Sequence, residues 1–188
     1  MKLVILDRDG TINEDSVEFV KSPEEWVALP GALEAIARLN HAGWHVVIAS
    51  NQSGLGRGLF DVVMLNAIHA KMNKLLAAVG GRIDAVFYCP HAPSEGCHCR
   101  KPEPGLFVQI GERFGVDLRL IPAVGDTARD VLAAATAGCE PHLVLTGKGA
   151  AYRGRNLPEI FPKETQVHED LAAFADFLLA RESVAAGV

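Results

Sequence analysis

Asp7 and Asp9 stand one residue apart in "ILDRDGTINE", residues 5–14, where an apolar run ends in two acids flanking an arginine, followed by Gly and Thr. Like charges set side by side repel, and desolvating them at the lip of a buried strand is costly unless something offsets them. A third acid, Asp126 in "VGDTARD", closes another apolar run. Three carboxylates converging on one edge offer oxygen-only donors, the set that suits Mg²⁺. With a metal bound, one carboxylate can attack phosphorus to form an aspartyl-phosphate. Asp9 could then protonate the leaving oxygen and later activate water. A single Asp in such a place reads better as a helix cap or turn residue; that reading weakens when three strand ends carry the pattern together.

A transferring phosphoryl group needs donors and cations fixed around its oxygens. "ASNQSGLGRG", residues 49–58, offers the Ser50 hydroxyl, the Asn51 amide, and backbone N–H groups at Gln52, Ser53 and the glycines beyond, with Arg57 at the far end. Gly-rich loops are common, so the segment gains weight from following an apolar strand. "CRKPEPG", residues 99–105, adds Arg100 and Lys101 just ahead of prolines able to open a helix. Solvated surface cations are the ordinary alternative for such a pair.

Between these segments lies "CPHAPSEGCHC". Cys89, His91, Cys97 and Cys99 form two x-separated pairs, a closed set of four soft or borderline donors suited to structural Zn²⁺. His98, between two cysteines, points away on this reading. A site of that kind does no chemistry: it fixes a loop, residues 89–99, and so holds Arg100, the next residue, over the acids. Cys139 stands apart and reads as a small buried hydrophobe.

The elements that must position these groups alternate along the chain. Strands are expected at 2–6, 45–50, 84–89, 120–125 and 142–146, and helices at 31–42, 61–79, 104–114, 128–138 and about 169–182. The strand runs are mostly continuous and apolar, as in strands buried on both faces. In the 61–79 helix Met64, Ile68, Met72, Leu75 and Val79 share one face and form the expected core stripe. This β-α order predicts an α/β fold, a Rossmann-like parallel sheet with helices on both faces and the site at the carboxyl ends of the strands. Asp130 reads as a helix-surface residue in preference to a supporting acid, and 148–166, polar and punctuated by Pro and Gly, as a loop or excursion.

The 188 residues, 49% hydrophobic and 22% charged, suit one domain, 1–188. The net charge of −5 with no basic run excludes an electrostatic nucleic-acid footprint. "MKLVILDRDG" is neither a signal peptide nor a membrane span, so the expectation is a cytoplasmic protein without membrane contact, and a monomer by default.

"DRDGT", Ser50, Lys101 and "GDTARD" occur in the order of the motifs of haloacid dehalogenase-like phosphatases, which this sequence resembles. The resemblance implies Asp7 as nucleophile and Asp9 as general acid and base. It implies Mg²⁺ on Asp7, the Asp9 carbonyl and Asp126, and Lys101 neutralising the phosphoryl group and Asp7, with Ser50 beside it. The cysteine and histidine loop running directly into Arg-Lys-Pro looks like the small branch holding heptose-1,7-bisphosphate 7-phosphatases and histidinol-phosphate phosphatases; "NQSGLGRG" and "KPEPG" look closer to the heptose enzymes. That branch implies no large cap and a phosphosugar substrate losing its C7 phosphate. Asp15 would face the sugar, and Arg100, with Arg57, a second anion. The rivals are histidinol phosphate as substrate, or a zinc-stabilised phosphosugar-binding protein without catalysis. Where the family commonly has Asp-His-Gly-Tyr, this chain reads "DSVE".

Overall fold

The computed structural model describes residues 1–186; the last two residues of the expected domain, 187 and 188, lie outside the described residues. One sheet holds six strands in the order β3-β2-β1-β4-β5-β6, every neighbouring pair parallel. The strands are β1 Leu3–Leu6, β2 His45–Asn51, β3 Ala85–Cys89, β4 Pro122–Gly125, β5 Glu140–Val144 and β6 Gln166–His168. The helices are α1 Ala32–His41, α2 Ser53–Gly56, α3 Val62–Ala78, α4 Gly105–Phe114, α5 Ala128–Ala137 and α6 Leu171–Ala186. No described helix is long and apolar enough to cross a membrane.

Alternation along the strands sorts the core into two layers. Val4, Leu6, Val46 and Ile48 meet α1, α3 and α6 through Ile36, Leu39, Ile68, Met72, Phe174 and Leu178. Leu3, Ile5, Val47 and Ala49 meet α4 and α5 through Leu106, Phe107, Ile110, Ala133 and Ala134. The chain builds outward from β1 to β3, then returns to add β4 on the other side of β1. That reversal opens a crevice beyond the carboxyl ends of β1 and β4, the place where open α/β sheets bind ligands. The connections at this end are 7–31, 52–61, 90–104, 126–127, 145–165 and 169–170, and among the described residues none folds into a cap domain.

The α3 core stripe differs from the expected one. Leu65, Ile68, Met72 and Leu76 are buried, whereas Met64 and Leu75 are more than a third exposed. Both sets have helical spacing, and with so many apolar residues in this helix the pattern does not choose between two faces a fraction of a turn apart; packing against α1 does. β3 lies at the sheet edge and is only half-buried along most of its length, which its continuous apolar run does not reveal. The 148–166 segment opens as a 3₁₀ turn, Gly147–Tyr152, and ends in β6, a strand with one apolar residue that exists because β5 offers it an edge.

β6 is pinned by a histidine pair. His142, fully buried on β5, lies 3.0 Å from His168 of β6 through Nδ1 and Nε2, against Phe174 and Phe177 of α6. Its Nε2 sits 3.5 Å from Glu140, which is itself held by Arg181 and Gln166. Burial, helped by the His168 and Arg181 charges and opposed by Glu140, brings the His142 pKa down to about 4. The unfolded chain, whose histidine titrates near its ordinary value of about 6.5, therefore binds the extra proton first. The contribution of His142 to stability is present above about pH 6.5 and is lost as pH falls toward 4. Between those values the wild-type Tm is expected to drop by roughly 5–10 °C more than that of His142→Gln, read by parallel thermal melts; equal slopes would remove this pair as the cause.

Candidate active site

β1 ends at Leu6, and the Asp7 N–H still donates to Val124 of β4 at 2.8 Å, so the sheet ladder carries Asp7 into the crevice beside Asp126. Lys101, 2% exposed, reaches between Asp7 and Asp130: its Nζ lies 2.9 Å from Asp7 Oδ1, 2.7 Å from Asp130 Oδ1 and 2.8 Å from the Ala49 carbonyl. Burial works against its charge, but Asp130 and Asp7 raise its pKa above the ordinary lysine value. Asp130 is thus no helix-surface residue. It is buried, its Oδ2 accepts from the Thr127 N–H and hydroxyl at the start of α5, and its Oδ1 holds Lys101. The T-x-x-D spacing at 127–130 is a capping pattern, and only the fold shows that the same acid also faces a lysine.

Asp7 is pushed up to about 7 by burial and by the Asp130 and Asp9 charges, against the pull of Lys101. Asp126 is pushed up to about 8 by burial and the charges of Asp130 and Asp7. Two acids driven toward neutrality for want of a counter-charge are what a cation site looks like before the cation is counted. One oxygen of each is already engaged, Asp7 Oδ1 by Lys101 and Asp126 Oδ2 by the Lys148 N–H at 2.8 Å. Asp7, Asp126 and Asp130 offer oxygens within 4.8 Å of one another, and with both Asp130 oxygens engaged, Asp7 and Asp126 are the pair left to bind. The loop makes room for them at Gly10, φ +84°, where a Cβ would sit 2.1 Å from Asp126 Oδ2. The donor chemistry fits a hard divalent ion.

Asp9 is held quite differently. Arg8, with no exposed surface, folds back so that Nη2 lies 2.9 and 3.0 Å from the two Asp9 oxygens, and His69 of α3 lies 3.3 Å from its Nη1. Asn13 and Gln52 each donate to Asp9 at 2.9 Å. Burial opposes ionisation, yet Arg8, Asn13 and Gln52 hold the Asp9 carboxyl below the ordinary range. Neighbouring acids thus end with opposite shifts.

The predicted phosphate-holding segment divides its tasks. Ser50 is buried at the end of β2, its Oγ accepting from Gln52 Nε2 at 2.8 Å. The Asn51 amide clasps the Lys101 backbone in both directions at 3.0 Å, which fixes the lysine's stem. Asn51, Gln52 and Ser53 border a cleft of about 410 Å³ together with Asp7, Asp9, Asp126 and Lys101. Arg57, Arg100 and Asp15 also line it, Arg57 lying 5.6 Å from the Phe19 ring centre. Arg129 and Lys148 line it too, beyond the residues expected from the sequence. A signal for Arg129 was available: a cation in the first turn of α5 runs against the helix dipole, so its place there asks for a reason outside the helix. Lys148 gives no comparable local signal.

Cys89, His91, Cys97 and Cys99 come together as expected, with His98 outside the cluster. Four of the six separations are 3.6 Å between sulfurs and 3.3 and 3.4 Å from sulfur to His91 Nδ1, and all four donors lie within 4.8 Å of one another. Donors about 2.0–2.3 Å from a common centre stand at such spacings. No cysteine is in a disulfide, and Cys139 is buried elsewhere in the core.

Residues 98–174 match the model of the HAD-hyrolase-like family. A D-glycero-beta-D-manno-heptose-1,7-bisphosphate 7-phosphatase of Bordetella bronchiseptica is 59% identical over 179 residues, covering 95% of this chain and 98% of that protein. The chain belongs to the heptose-1,7-bisphosphate 7-phosphatase family of haloacid dehalogenase-like proteins. Another member, from Pseudomonas aeruginosa, is 50% identical over 94% of the chain and 97% of its own length. A crystal structure of the B. bronchiseptica D,D-heptose 1,7-bisphosphate phosphatase, complexed with magnesium and phosphate, superposes with a TM-score of 0.92 at 58% identity, covering 96% of this chain and 99% of that one. A family member from Burkholderia thailandensis gives 0.75 at 51%, with the same coverage.

Arg8 is the residue whose loss the site should tolerate least outside the reacting groups. Breaking a buried ion pair from one side costs about 3–5 kcal/mol. Arg8→Met is therefore expected to lose roughly that much in urea unfolding, with Arg8→Lys in between; a loss below about 1 kcal/mol would show that the pair behaves as an exposed one.

Proposed function

We propose that the chain is a phosphatase that removes the C7 phosphate of D-glycero-D-manno-heptose 1,7-bisphosphate through an aspartyl-phosphate on Asp7. The observation that carries this is the buried Asp7–Lys101–Asp130 chain beside Asp126, opening on a cleft edged by three guanidiniums. Arg57, Arg100 and Arg129 have no carboxylate partner among the described residues. One phosphate of a bisphosphate would sit at Asp7 and Lys101, and the other would meet these guanidiniums. Histidinol phosphate brings one phosphate and an ammonium that the same rim repels. A binding protein without catalysis would gain nothing from a carboxylate fixed against a buried lysine.

Asp7, the Asp9 carbonyl and Asp126 would hold Mg²⁺, which when bound neutralises the acids and the phosphoryl oxygens. Asp7 attacks phosphorus through one oxygen while Lys101, kept in place by Asp130 and the Asn51 clasp, stabilises charge on the equatorial oxygens. Ser50 supports this end of the site through Gln52. The arriving dianion raises the proton affinity of Asp9, which gives its proton to the C7 oxygen as the P–O bond breaks. Returned to the ionised form that Arg8, Asn13 and Gln52 favour, Asp9 takes a proton from the water that hydrolyses the aspartyl-phosphate.

Zn²⁺ is proposed for the Cys89, His91, Cys97 and Cys99 cluster, with a structural role: Cys99 leads directly into Arg100, whose Nη1 lies 3.5 Å from the His91 carbonyl. The two core layers on one sheet support a single domain, and we take it to act as a cytoplasmic monomer on a free phosphosugar.

Three measurements test this. In a substrate panel with both anomers, the heptose bisphosphate should exceed histidinol phosphate in kcat/KM by at least about 100-fold; the reverse order would overturn the substrate assignment. Asp7→Asn should abolish turnover with the fold retained by circular dichroism, and Asp9→Asn should slow it about 10²–10⁴-fold. Elemental analysis of protein purified without chelator should find zinc at one per chain, and zinc-free active protein would refute the loop assignment.

A further inference from the structure

Residues 146–148, at the carboxyl end of β5, are built into the acid cluster although the chemistry does not call on them. The Thr146 hydroxyl donates to the Gly10 carbonyl at 2.6 Å. Gly147, φ +51°, lies so close that a Cβ there would stand 2.2 Å from Asp126 Oδ2 and 2.6 Å from Gly10 Cα. The Lys148 N–H then donates to Asp126 Oδ2 at 2.8 Å. From that anchored backbone the Lys148 side chain crosses to the 14–20 loop, where Nζ meets Asp15 Oδ2 at 2.6 Å.

The 14–20 loop forms one wall of the cleft through Asp15, Ser16, Val17, Phe19 and Val20. Arg57 lies over Phe19, whose backbone takes the left-handed φ of +65°, unusual for a residue with a bulky side chain. Cations from two different connections therefore hold this wall, and Lys148 is the one whose main chain also touches Asp126.

We propose that Lys148 is a positioning residue for substrate selection: fixed to Asp126 by its backbone and to Asp15 by its ammonium, it sets the distance between the reacting phosphoryl group and the wall that faces the sugar. The proposal rests on the phosphosugar reading above. A substrate with no sugar does not use the wall and is indifferent to its position. An ion pair as open as this one, with the Lys148 side chain 56% exposed, contributes little to global stability; its effect is local.

The test uses Lys148→Met, which keeps length and backbone N–H but loses the charge, with Lys148→Arg and Asp15→Asn. kcat/KM is measured on the heptose bisphosphate and on p-nitrophenyl phosphate, and amide exchange is followed at residues 16–20. For Lys148→Met the bisphosphate value should fall roughly 10- to 100-fold, chiefly through KM, against less than about 3-fold for p-nitrophenyl phosphate. Lys148→Arg should recover most of the loss, Lys148→Met combined with Asp15→Asn should lose no more than the worse single variant, and amides 16–20 should exchange faster while Tm holds. Equal losses on both substrates, additive losses, or unchanged exchange would overturn the proposal. If the wild type does not hydrolyse the bisphosphate yet exchange at 16–20 still quickens in Lys148→Met, the substrate reading fails and the clamp stands; unchanged exchange fails the clamp whatever the substrate.

Discussion

The Lys101 ammonium, enclosed by Asp7, Asp130 and the Ala49 carbonyl, is the constraint on which the rest of the site depends. A lysine with almost no access to water is tolerable only when every donor has a partner and opposite charge is close. Those partners come from the end of β1, the end of β2 and the first turn of α5, while the lysine arrives on the loop ahead of α4. Four separate parts of the chain must be in register before the ammonium is satisfied. The Asn51 clasp on the Lys101 backbone and the compact cysteine and histidine cluster just before it restrict that loop to one path.

Charge is layered outward from this point. In the inner layer Asp7, Asp9, Asp126 and Asp130 face Arg8 and Lys101, leaving two negative charges if all are ionised, the amount one divalent cation supplies. The opposite shifts of Asp7 and Asp9 follow from the same arithmetic: Asp9 has an arginine fork and two amides to itself, while Asp7 shares one lysine with Asp130. Outside lie Arg57, Arg100 and Arg129, cations at the mouth of a cleft with an acidic floor, while Lys148 there is paired with Asp15. A molecule carrying phosphates at both ends suits that gradient better than one carrying a single phosphate and an amine.

The chemistry-bearing residues were legible because each sits where local rules place it. Strands that end in a polar residue announce a strand end, and the alternation of strands and helices puts those ends on one edge. The lone Cys139 was readable as core for a similar reason, and burial pushes its thiol up to about 12. Local pattern failed where two answers were nearly equal or where a neighbour supplied the reason. The α3 stripe could fall on either of two overlapping faces; β3 reads like a central strand but ends the sheet; β6 has too little apolar character to be seen without β5 beside it.

By itself the sequence determined the α/β order, the acids at the strand ends, the two adjacent cations and the four soft donors, since these depend on residue type and short spacing. Only the tertiary structure decided that Lys101 serves Asp130 as well as Asp7, that Asp130 is a buried partner and not a surface residue, that Asn51 holds a backbone, and that Lys148 joins Asp126 to Asp15. These are contacts between segments far apart in the chain, created when the sheet reverses direction at β1 and β4. Whether a charge is solvated or buried against its opposite is a property of that meeting and of no single segment.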